Sequence, residues 1–402
     1  MVRSPATTGT GKNPAQACMR LTMMKSEEIK SLPFSAPGTT RSLKIIRYGT
    51  PGSTPKVYIQ AGLHADEAPG YIVAHHLEAL LDQQAAANNI AGEIILVPAA
   101  NPIGLSQWQH ESLNGRFDQN NGINFNRNHL DLSEQIATEV EHLLGSDSQK
   151  NIDLIRKKSG ELIAAHEPVE EASALKKLLL SLSHDADIVL DLHCDLEALI
   201  HLYLGTPLWE DGKILAECLD SRVNLVAANS GGGPFDEANS RIWWDLAKRF
   251  PDKPIPPACF AATVELRGFA DTNYQQNKTD AQNLMRFLGC KNVFCQPIEK
   301  PPENSDHHSS PLTGVDYVKA TEPGIICYTR ELGAFINKGE VIATVINPLT
   351  ENNNQAPAEL RAQTSGILFS RSGDRFAHPG RIIAKIAGME PLRDESGTLL
   401  TM

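Results

Sequence analysis

Short apolar runs alternate with amphipathic stretches between about residue 41 and residue 286 of the chain. The apolar runs have the length of buried strands, and they read KVYIQAG, EIILVPA, ADIVLDLH, NLVAANS and CFAATVEL. The stretches between them place apolar residues at helical spacing, as in GYIVAHHLEALLDQQAAA, LSEQIATEVEHLL, SALKKLLLSLSH and TDAQNLMRFLG. This alternation predicts an α/β domain whose mostly parallel central sheet is flanked by helices on both faces.

Changes in composition divide the rest of the chain. Residues 1–30 are polar and are expected to be disordered, and residues 31–295 carry the α/β pattern. Within that domain, residues 131–185 are charged and helical and are predicted to form an extra lobe of two or three helices. Residues 296–314 are rich in proline, serine and charge, which predicts a linker with a solvated His307–His308 pair.

After the linker, residues 315–402 show short strands separated by glycine and no helical period. The segment GAFINKGEVIATV is similar to the later segment RFAHPGRIIAKI, and such a repeat predicts a small all-β domain. The pattern resembles a barrel-sandwich hybrid of the biotinyl and lipoyl carrier type. However, its hairpin tip at residues 370–375 reads SRSGDR and has no lysine that could carry a cofactor.

Composition and charge narrow the classes of function. The 402 residues are 41% hydrophobic and 21% charged, which is typical of a globular protein with a sizeable core. The formal net charge of −11 argues against binding to nucleic acid or to an anionic membrane. The chain has no apolar run long enough to span a bilayer and no apolar segment of a signal peptide near its start. Its seven scattered cysteines contain no C-x-x-C motif, so we expect reduced thiols and a cytoplasmic location.

The pattern His-x-x-Glu occurs twice, as His64/Glu67 and as His75/Glu78. The second pair lies inside a predicted helix, where an exposed polar pair is the ordinary interpretation. The first pair directly follows the apolar run KVYIQAG, at the carboxyl end of a predicted strand, where α/β sheets form their sites. We therefore interpret the first pair as functional and the second as surface.

Two further residues lie at strand ends. His193 ends the run DIVLDLH, two residues after Asp191, and Glu265 ends CFAATVEL. Each has an ordinary alternative, a hydrogen-bonded core histidine or a paired edge acid. Taken together, however, two histidines and one glutamate can fill three positions of a catalytic zinc and leave the fourth for water, while a further glutamate acts as base.

These residues, with NPIGL (residues 101–105) and NFNR (residues 124–127), resemble the succinylglutamate desuccinylase/aspartoacylase family in the order of their motifs. The resemblance covers roughly residues 57–268 and implies a zinc-carboxypeptidase-like fold with one zinc per chain. It implies that His64, Glu67 and His193 are zinc ligands and that Glu265 is the general base. Asn126 and Arg127 would bind a substrate carboxylate, and Arg116 would polarise the scissile carbonyl. The sequence departs from the family in having Asn124 where aspartate is usual, and in the insertion at residues 131–185.

The resemblance implies a hydrolase that cleaves the amide of a small N-acyl amino acid or related N-acyl amine. Two alternatives are a metallocarboxypeptidase acting on peptide C-termini and a non-catalytic zinc-binding module. Carboxypeptidases usually supply a tyrosine between the positions of His193 and Glu265, and the only one in this sequence is Tyr203, in a predicted strand. This favours the deacylase. The expected partner is a small-molecule substrate, with no nucleic acid and no membrane, and the sequence is compatible with a homo-oligomer.

Overall fold

The computed structural model describes residues 25–298, 307–349, 356–394 and 397–400. The strands of its first part are β1 (Lys25–Ser31), β2 (Ser42–Gly49), β3 (Lys56–Ala61), β4 (Glu93–Val97), β5 (Trp108–Gln109), β6 (Ser112–Leu113), β7 (Ile188–Asp195), β8 (Glu197–Ala198), β9 (His201–Gly205), β10 (Val223–Ala227), β11 (Phe260–Gly268) and β12 (Ser310–Pro311). Within the described residues, nine of them form a central sheet in the order β1-β2-β4-β3-β7-β11-β9-β10-β12.

The central sheet is mostly parallel, as predicted. Strands β4, β3, β7 and β11 run parallel at its centre, and β9, β10 and β12 are parallel at one side. The antiparallel pairs are β1 with β2, β2 with β4, and β9 with β11. The five apolar runs predicted as strands all lie in this sheet, as β3, β4, β7, β10 and β11. The carboxyl ends of β3, β7 and β11 therefore meet at one edge.

Seven helices within the described residues cover both faces of the sheet. They are α1 (Ala68–Ala86), α2 (Ser133–Val140), α3 (Ser148–Ala165), α4 (Glu171–Ser183), α5 (Trp209–Leu219), α6 (Phe235–Arg249) and α7 (Tyr274–Cys290). The buried side chains of α1, α5 and α7 share one core with the sheet, and those of α2, α3, α4 and α6 share the other. Helices α2 to α4 are the predicted insertion at residues 131–185. The prediction of an extra lobe is wrong, because these helices form part of the layer that covers one face of the sheet.

The last part of the chain is all-β, as predicted. Its strands are β13 (Val315–Lys319), β14 (Gly324–Tyr328), β15 (Phe335–Ile336), β16 (Val341–Ile346), β17 (Ala358–Arg361), β18 (Gly366–Arg371), β19 (Phe376–Ala377) and β20 (Ile382–Gly388). They form two sheets of four strands among the described residues, β13-β20-β18-β15 and β17-β16-β14-β19. The two similar sequence segments are β15–β16 and β19–β20, and each places its short strand in one sheet and its long strand in the other. Strand β8 of the α/β domain pairs with β18 and so joins the two parts.

Two smaller expectations need correction. Residues 1–24 lie outside the described residues, but residues 25–30 were expected to be disordered and form most of β1. The predicted linker at residues 296–314 contains β12, which belongs to the central sheet, and its His307 is buried rather than solvated.

No helix among the described residues is both long and apolar enough to cross a membrane.

Candidate metal centre and substrate cavity

The loop between β3 and α1 carries the first His-x-x-Glu pair. Glu67 directly precedes the first residue of α1, where the unpaired N–H groups and the dipole of a helix favour a carboxylate. Pro69 lies in the first turn, where its missing N–H costs no helical hydrogen bond. His64 lies three residues before Glu67, and both side chains are buried. The end of one strand and the start of one helix therefore fix this pair.

His64, Glu67 and His193 form a group whose potential ligand atoms all lie within 4.8 Å of one another. The Nδ1 atom of His64 is 2.9 Å from one oxygen of the Glu67 carboxylate, and the Nδ1 atom of His193 is 2.8 Å from the other. The side chains predicted as metal ligands are thus brought together. The Cys194 backbone N–H also donates to Glu67 over 3.0 Å and fixes the carboxylate against β7.

The second ring nitrogen of each histidine faces an oxygen acceptor. The Nε2 atom of His64 lies 2.7 Å from Oδ1 of Asn124, and that of His193 lies 2.9 Å from a carboxylate oxygen of Asp191. For His64, an N–H donated from Nε2 to Asn124 leaves a lone pair at Nδ1, which is the state a metal ligand requires. Asn124, the position where the sequence departs from the family, therefore keeps an acceptor oxygen but not a negative charge.

A buried chain of side chains orients Asp191. The Tyr58 hydroxyl donates to Oε1 of Gln60 over 2.7 Å, and the Gln60 amide donates to Oδ1 of Asp191 over 3.0 Å. The other oxygen of Asp191 remains for His193. Alternate residues of a strand point to the same face of the sheet, so the side chains of Asp191, His193 and Asp195 in β7 share one face.

Glu265 lies in β11 directly beside His193 of β7 in the strand register. Its Oε2 atom is buried and has no hydrogen-bond partner among the described residues. Burial, and then the negative charge of Glu67, raise the pKa of Glu265 to about 8. A cation held by the neighbouring cluster would counter both effects and favour the carboxylate.

The charges of the cluster suit a cation. Burial and the nearby Arg116 guanidinium lower the pKa of His64 to about 4, so its ring is neutral. Burial acts to raise the pKa of Glu67, but His193 and His64 outweigh it and the pKa is lowered. In His193 burial acts to lower the pKa, but the carboxylates of Asp191 and Glu67 prevail and raise it. A carboxylate ionised in a buried site requires positive charge beside it.

Arg116 already brings positive charge to the cluster. Its NH1 atom lies 3.2 Å from Nδ1 of His64 and 3.2 Å from Oε1 of Glu67. The side chain of Arg116 is 32% exposed, so it reaches the buried cluster from the cavity. The atoms predicted as metal ligands therefore attract a cation even without a metal.

Asn126 and Arg127 lie in the same cavity, but Asn126 is partly engaged within the protein. Its Oδ1 atom accepts from the N–H of Phe235, the first residue of α6, and its Nδ2 atom lies 3.3 Å from Nε2 of His193. The guanidinium of Arg127 donates to the Asn126 backbone carbonyl over 2.7 Å. Lys176 of α4 donates to the Arg127 carbonyl over 2.6 Å, so the insertion supports this loop.

One cavity is lined by all the predicted site residues other than buried Glu67. The lining residues that the sequence analysis missed include one from β7 and three from the last part of the chain: Asp195, Tyr317, Lys385 and Leu400. The position of Asp195 two residues after His193 was a usable signal, because the two share a strand face. No local pattern marks the others.

The remaining sequence interpretations concern Tyr203 and the second His-x-x-Glu pair. Tyr203 lies in β9, as predicted, but it lines the cavity. Its strand position is therefore no argument against a carboxypeptidase. His75 is exposed, and Glu78 pairs with Lys25 and Lys44 at the surface, as interpreted from the sequence.

Comparison with known proteins agrees with the resemblance. Residues 53–229 match the sequence profile of the succinylglutamate desuccinylase/aspartoacylase catalytic domain. Among solved structures, a succinylglutamate desuccinylase/aspartoacylase family protein from Shewanella amazonensis SB2B is 27% identical, with a TM-score of 0.79 over 90% of this chain and 98% of that chain. Comparison with curated proteins gave no significant match.

Two structures of lower sequence identity show the fold alone. A succinylglutamate desuccinylase/aspartoacylase from Shewanella frigidimarina NCIMB 400 is 23% identical, with a TM-score of 0.80 over 91% of this chain and 97% of that chain. A product-bound ectoine utilization protein from Ruegeria pomeroyi is 17% identical, with a TM-score of 0.62 over 90% of this chain and 95% of that chain. The matched lengths include both the α/β part and the all-β part.

Proposed function

We propose that this chain, which belongs to the succinylglutamate desuccinylase/aspartoacylase family, is a zinc-dependent hydrolase that cleaves the amide bond of a small N-acyl amino acid or related N-acyl amine. The observation that carries the proposal is the cluster of His64, Glu67 and His193 beside Glu265 in one cavity. A zinc-carboxypeptidase-like fold and a cytoplasmic location remain predictions from the sequence.

The three side chains fit zinc in donor type and number. Zinc accepts imidazole nitrogen and carboxylate oxygen, and catalytic sites commonly use three protein ligands. His64 and His193 would bind through Nδ1, because these atoms lie 2.9 and 2.8 Å from the two oxygens of the Glu67 carboxylate. When bound, zinc would act as a Lewis acid on water and on the substrate carbonyl.

Glu265 would move the protons of the reaction. Its carboxylate would accept a proton from the attacking water and then transfer that proton to the nitrogen of the departing amine. Such positioned proton transfer typically accelerates a reaction by about 10²–10⁴-fold. The Oε2 atom of Glu265 supports this role, since it is buried and has no hydrogen-bond partner among the residues that the structure describes, which leaves it available to a substrate.

Arg116 and Arg127 would bind the substrate's oxygen atoms. The guanidinium of Arg116 would donate hydrogen bonds to the scissile carbonyl as negative charge develops on its oxygen. Arg127, together with Asn126, would bind the free carboxylate of the substrate, because a planar guanidinium matches a carboxylate with two parallel hydrogen bonds. A substrate amide or methyl ester in place of that acid is therefore expected to react much more slowly.

A second candidate is a metallocarboxypeptidase with the same machinery. The position of Tyr203 in the cavity supports it, because a tyrosine hydroxyl is the extra donor that such enzymes use. The two candidates differ in the amine that leaves, which is a single amino acid or small amine for the deacylase and a C-terminal residue of a peptide for the carboxypeptidase.

The test is turnover of zinc-loaded protein on two panels, N-acetyl and N-succinyl amino acids beside peptides with free C-termini. We expect cleavage in the first panel, and we expect Glu265→Gln to retain zinc while its kcat falls by several orders of magnitude. Turnover confined to peptides would favour the carboxypeptidase. Stoichiometric zinc without turnover on either panel would favour a non-catalytic zinc-binding module.

A further inference from the structure

The substrate cavity has one polar side and one apolar side. The polar side carries the metal cluster, Glu265 and the two arginines. The aliphatic part of the lining, which we call the apolar side, comes from β9, β10, the turn before β13 and residues 397–400; its residues are Leu204, Leu225, Ala227, Leu312 and Leu400. A substrate that fills the cavity therefore places one part against charge and another part against hydrocarbon.

Residues 397–400, which we call the closing segment, complete the apolar side. Leu399 is 2% exposed and packs in a core with Leu225, Leu312 and Tyr317. Its backbone N–H donates to the Ser230 carbonyl over 2.7 Å. Its carbonyl accepts from the Tyr317 hydroxyl over 3.0 Å and from Arg393 over 3.1 Å. The closing segment has no regular secondary structure, yet these bonds and the buried side chain fix Leu400 at the cavity.

The closing segment also contacts the loop behind Arg127. A Cβ atom at Gly231, which has φ +81°, would lie 2.2 Å from the carbonyl oxygen of Gly397, so only glycine permits this approach. On the other side of the same turn, the Gly232 carbonyl accepts from the N–H of Asn128 over 3.0 Å. The glycine turn at residues 231–233 is therefore packed between the closing segment and the loop that carries Arg127.

We propose that the closing segment selects, through Leu400, substrates that carry an uncharged aliphatic group on one side of the scissile amide. This inference rests on the proposed function and names the substrate class of the same site. The cation that lines the cavity from the same part of the chain as Leu312 and Leu400 is Lys385, and its ammonium is paired with Asp195 at 2.5 Å. A second carboxylate on the substrate would have to compete with Asp195, whereas a hydrocarbon group needs no partner.

Pairs of substrates that differ in the aliphatic group measure how strongly the enzyme selects for it. N-acetylleucine against N-acetylaspartate varies the amine side, and N-hexanoylglycine against N-succinylglycine varies the acyl side. Each buried methylene raises affinity by about fourfold, so two or more are worth at least about tenfold. We expect kcat/KM to favour the aliphatic member of at least one pair by tenfold or more. Preference for the dicarboxylate in both pairs would overturn the proposal.

Substitution of Leu400 tests whether the closing segment causes the preference for aliphatic substrates. Leu400→Trp should reduce kcat/KM for the favoured aliphatic substrate at least tenfold, mainly by raising KM, because the indole occupies the space of the aliphatic group. Leu400→Ala should shift the optimum toward a longer chain. Leu349→Ala is the matched control, since Leu349 is 88% exposed and lies outside the cavity. A Leu400→Trp variant with unchanged selectivity would overturn the assignment.

Measuring how tightly the cleavage products bind tests this inference independently of the proposed function. Calorimetry of zinc-loaded wild-type protein with leucine, aspartate, hexanoate and succinate needs no turnover. If no N-acyl substrate is cleaved, the proposed function fails. The closing segment would still be supported as an aliphatic site by a tenfold lower Kd for leucine than for aspartate, or for hexanoate than for succinate. Leu400→Trp should abolish that difference in Kd. Equal or inverted Kd values in the wild type would contradict it.

Discussion

At the scale of single residues, acceptor atoms behind the metal cluster determine which nitrogen each histidine presents. Oδ1 of Asn124 lies 2.7 Å from Nε2 of His64, and a carboxylate oxygen of Asp191, whose other oxygen is bound by Gln60, lies 2.9 Å from Nε2 of His193. Both rings therefore turn Nδ1 toward Glu67. The residues next to the metal-ligand side chains therefore affect metal affinity as well as the fold.

We expect Asn124→Leu to weaken zinc binding by about 10–100-fold, the usual effect of losing such a partner. Asn124→Asp keeps an acceptor oxygen and should bind zinc at least as well as the wild type. Competition with a chelator of known affinity measures both variants, and Asn120→Leu at an exposed position is the control. Zinc affinity of Asn124→Leu within twofold of wild type would show that Asn124 does not orient His64.

At the scale of elements, the insertion is a structural layer. Ile155 of α3 is fully buried in the core that includes Tyr58 of β3 and Val189 of β7. Arg156 of the same helix donates to Asp187 and to the Ala258 carbonyl, both over 2.8 Å, beside the starts of β7 and β11. The sequence pattern revealed an apolar face on these helices but not which surface that face covers, because periodicity carries no information on the packing partner.

Ile155→Ala should therefore lower the free energy of unfolding of the α/β domain by about 2–5 kcal/mol, the cost of removing a buried branched side chain. Leu143→Ala, at a position that is 59% exposed, should change it by less than about 0.5 kcal/mol. Urea denaturation followed by circular dichroism gives both values. An Ile155→Ala variant that leaves the main transition unchanged would mean that the insertion folds separately from the sheet.

At the scale of the whole molecule, the all-β part completes the cavity of the α/β part. Lys385 of β20 pairs with Asp195 of β7 at 2.5 Å, and both side chains are nearly buried. Residues that follow an apolar run, such as His64 and His193, could be predicted because the end of a strand is visible in the sequence. Tyr317, Lys385 and Leu400 could not, because they reach the cavity from a part of the chain more than 100 residues beyond His193.

The Asp195–Lys385 pair should couple the stability of the two parts. Removing one partner leaves a buried charge, so we expect Lys385→Met to lower the free energy of unfolding by about 3–5 kcal/mol. The double variant Asp195→Asn/Lys385→Met should lower it by less than the sum of the two single variants. The control is the same comparison of single and double variants at the exposed pair of Arg330 and Glu340, which should show far weaker coupling. Additive effects at Asp195 and Lys385 would contradict the coupling.

The pair should also have a defined pH dependence. Burial acts to raise the pKa of Asp195, but the Lys385 ammonium outweighs it and lowers the pKa to about 2. This folded value lies below the ~3.9 of an unfolded aspartate. The contribution of the pair is therefore present above about pH 4 and is lost as the pH falls toward 2. Unfolding curves of wild type and Asp195→Asn should converge over that range.

The zinc content of two histidine variants, measured together with their turnover, tests the central claim most directly. Wild-type protein and His75→Ala should each hold one zinc per chain and cleave the best N-acyl substrate at similar rates, because His75 is exposed and lies outside the cluster. His193→Ala should hold none and show no turnover, since it removes one of three ligands. A full equivalent of zinc in His193→Ala, or undiminished turnover without it, would contradict a zinc hydrolase centred on His64, Glu67 and His193.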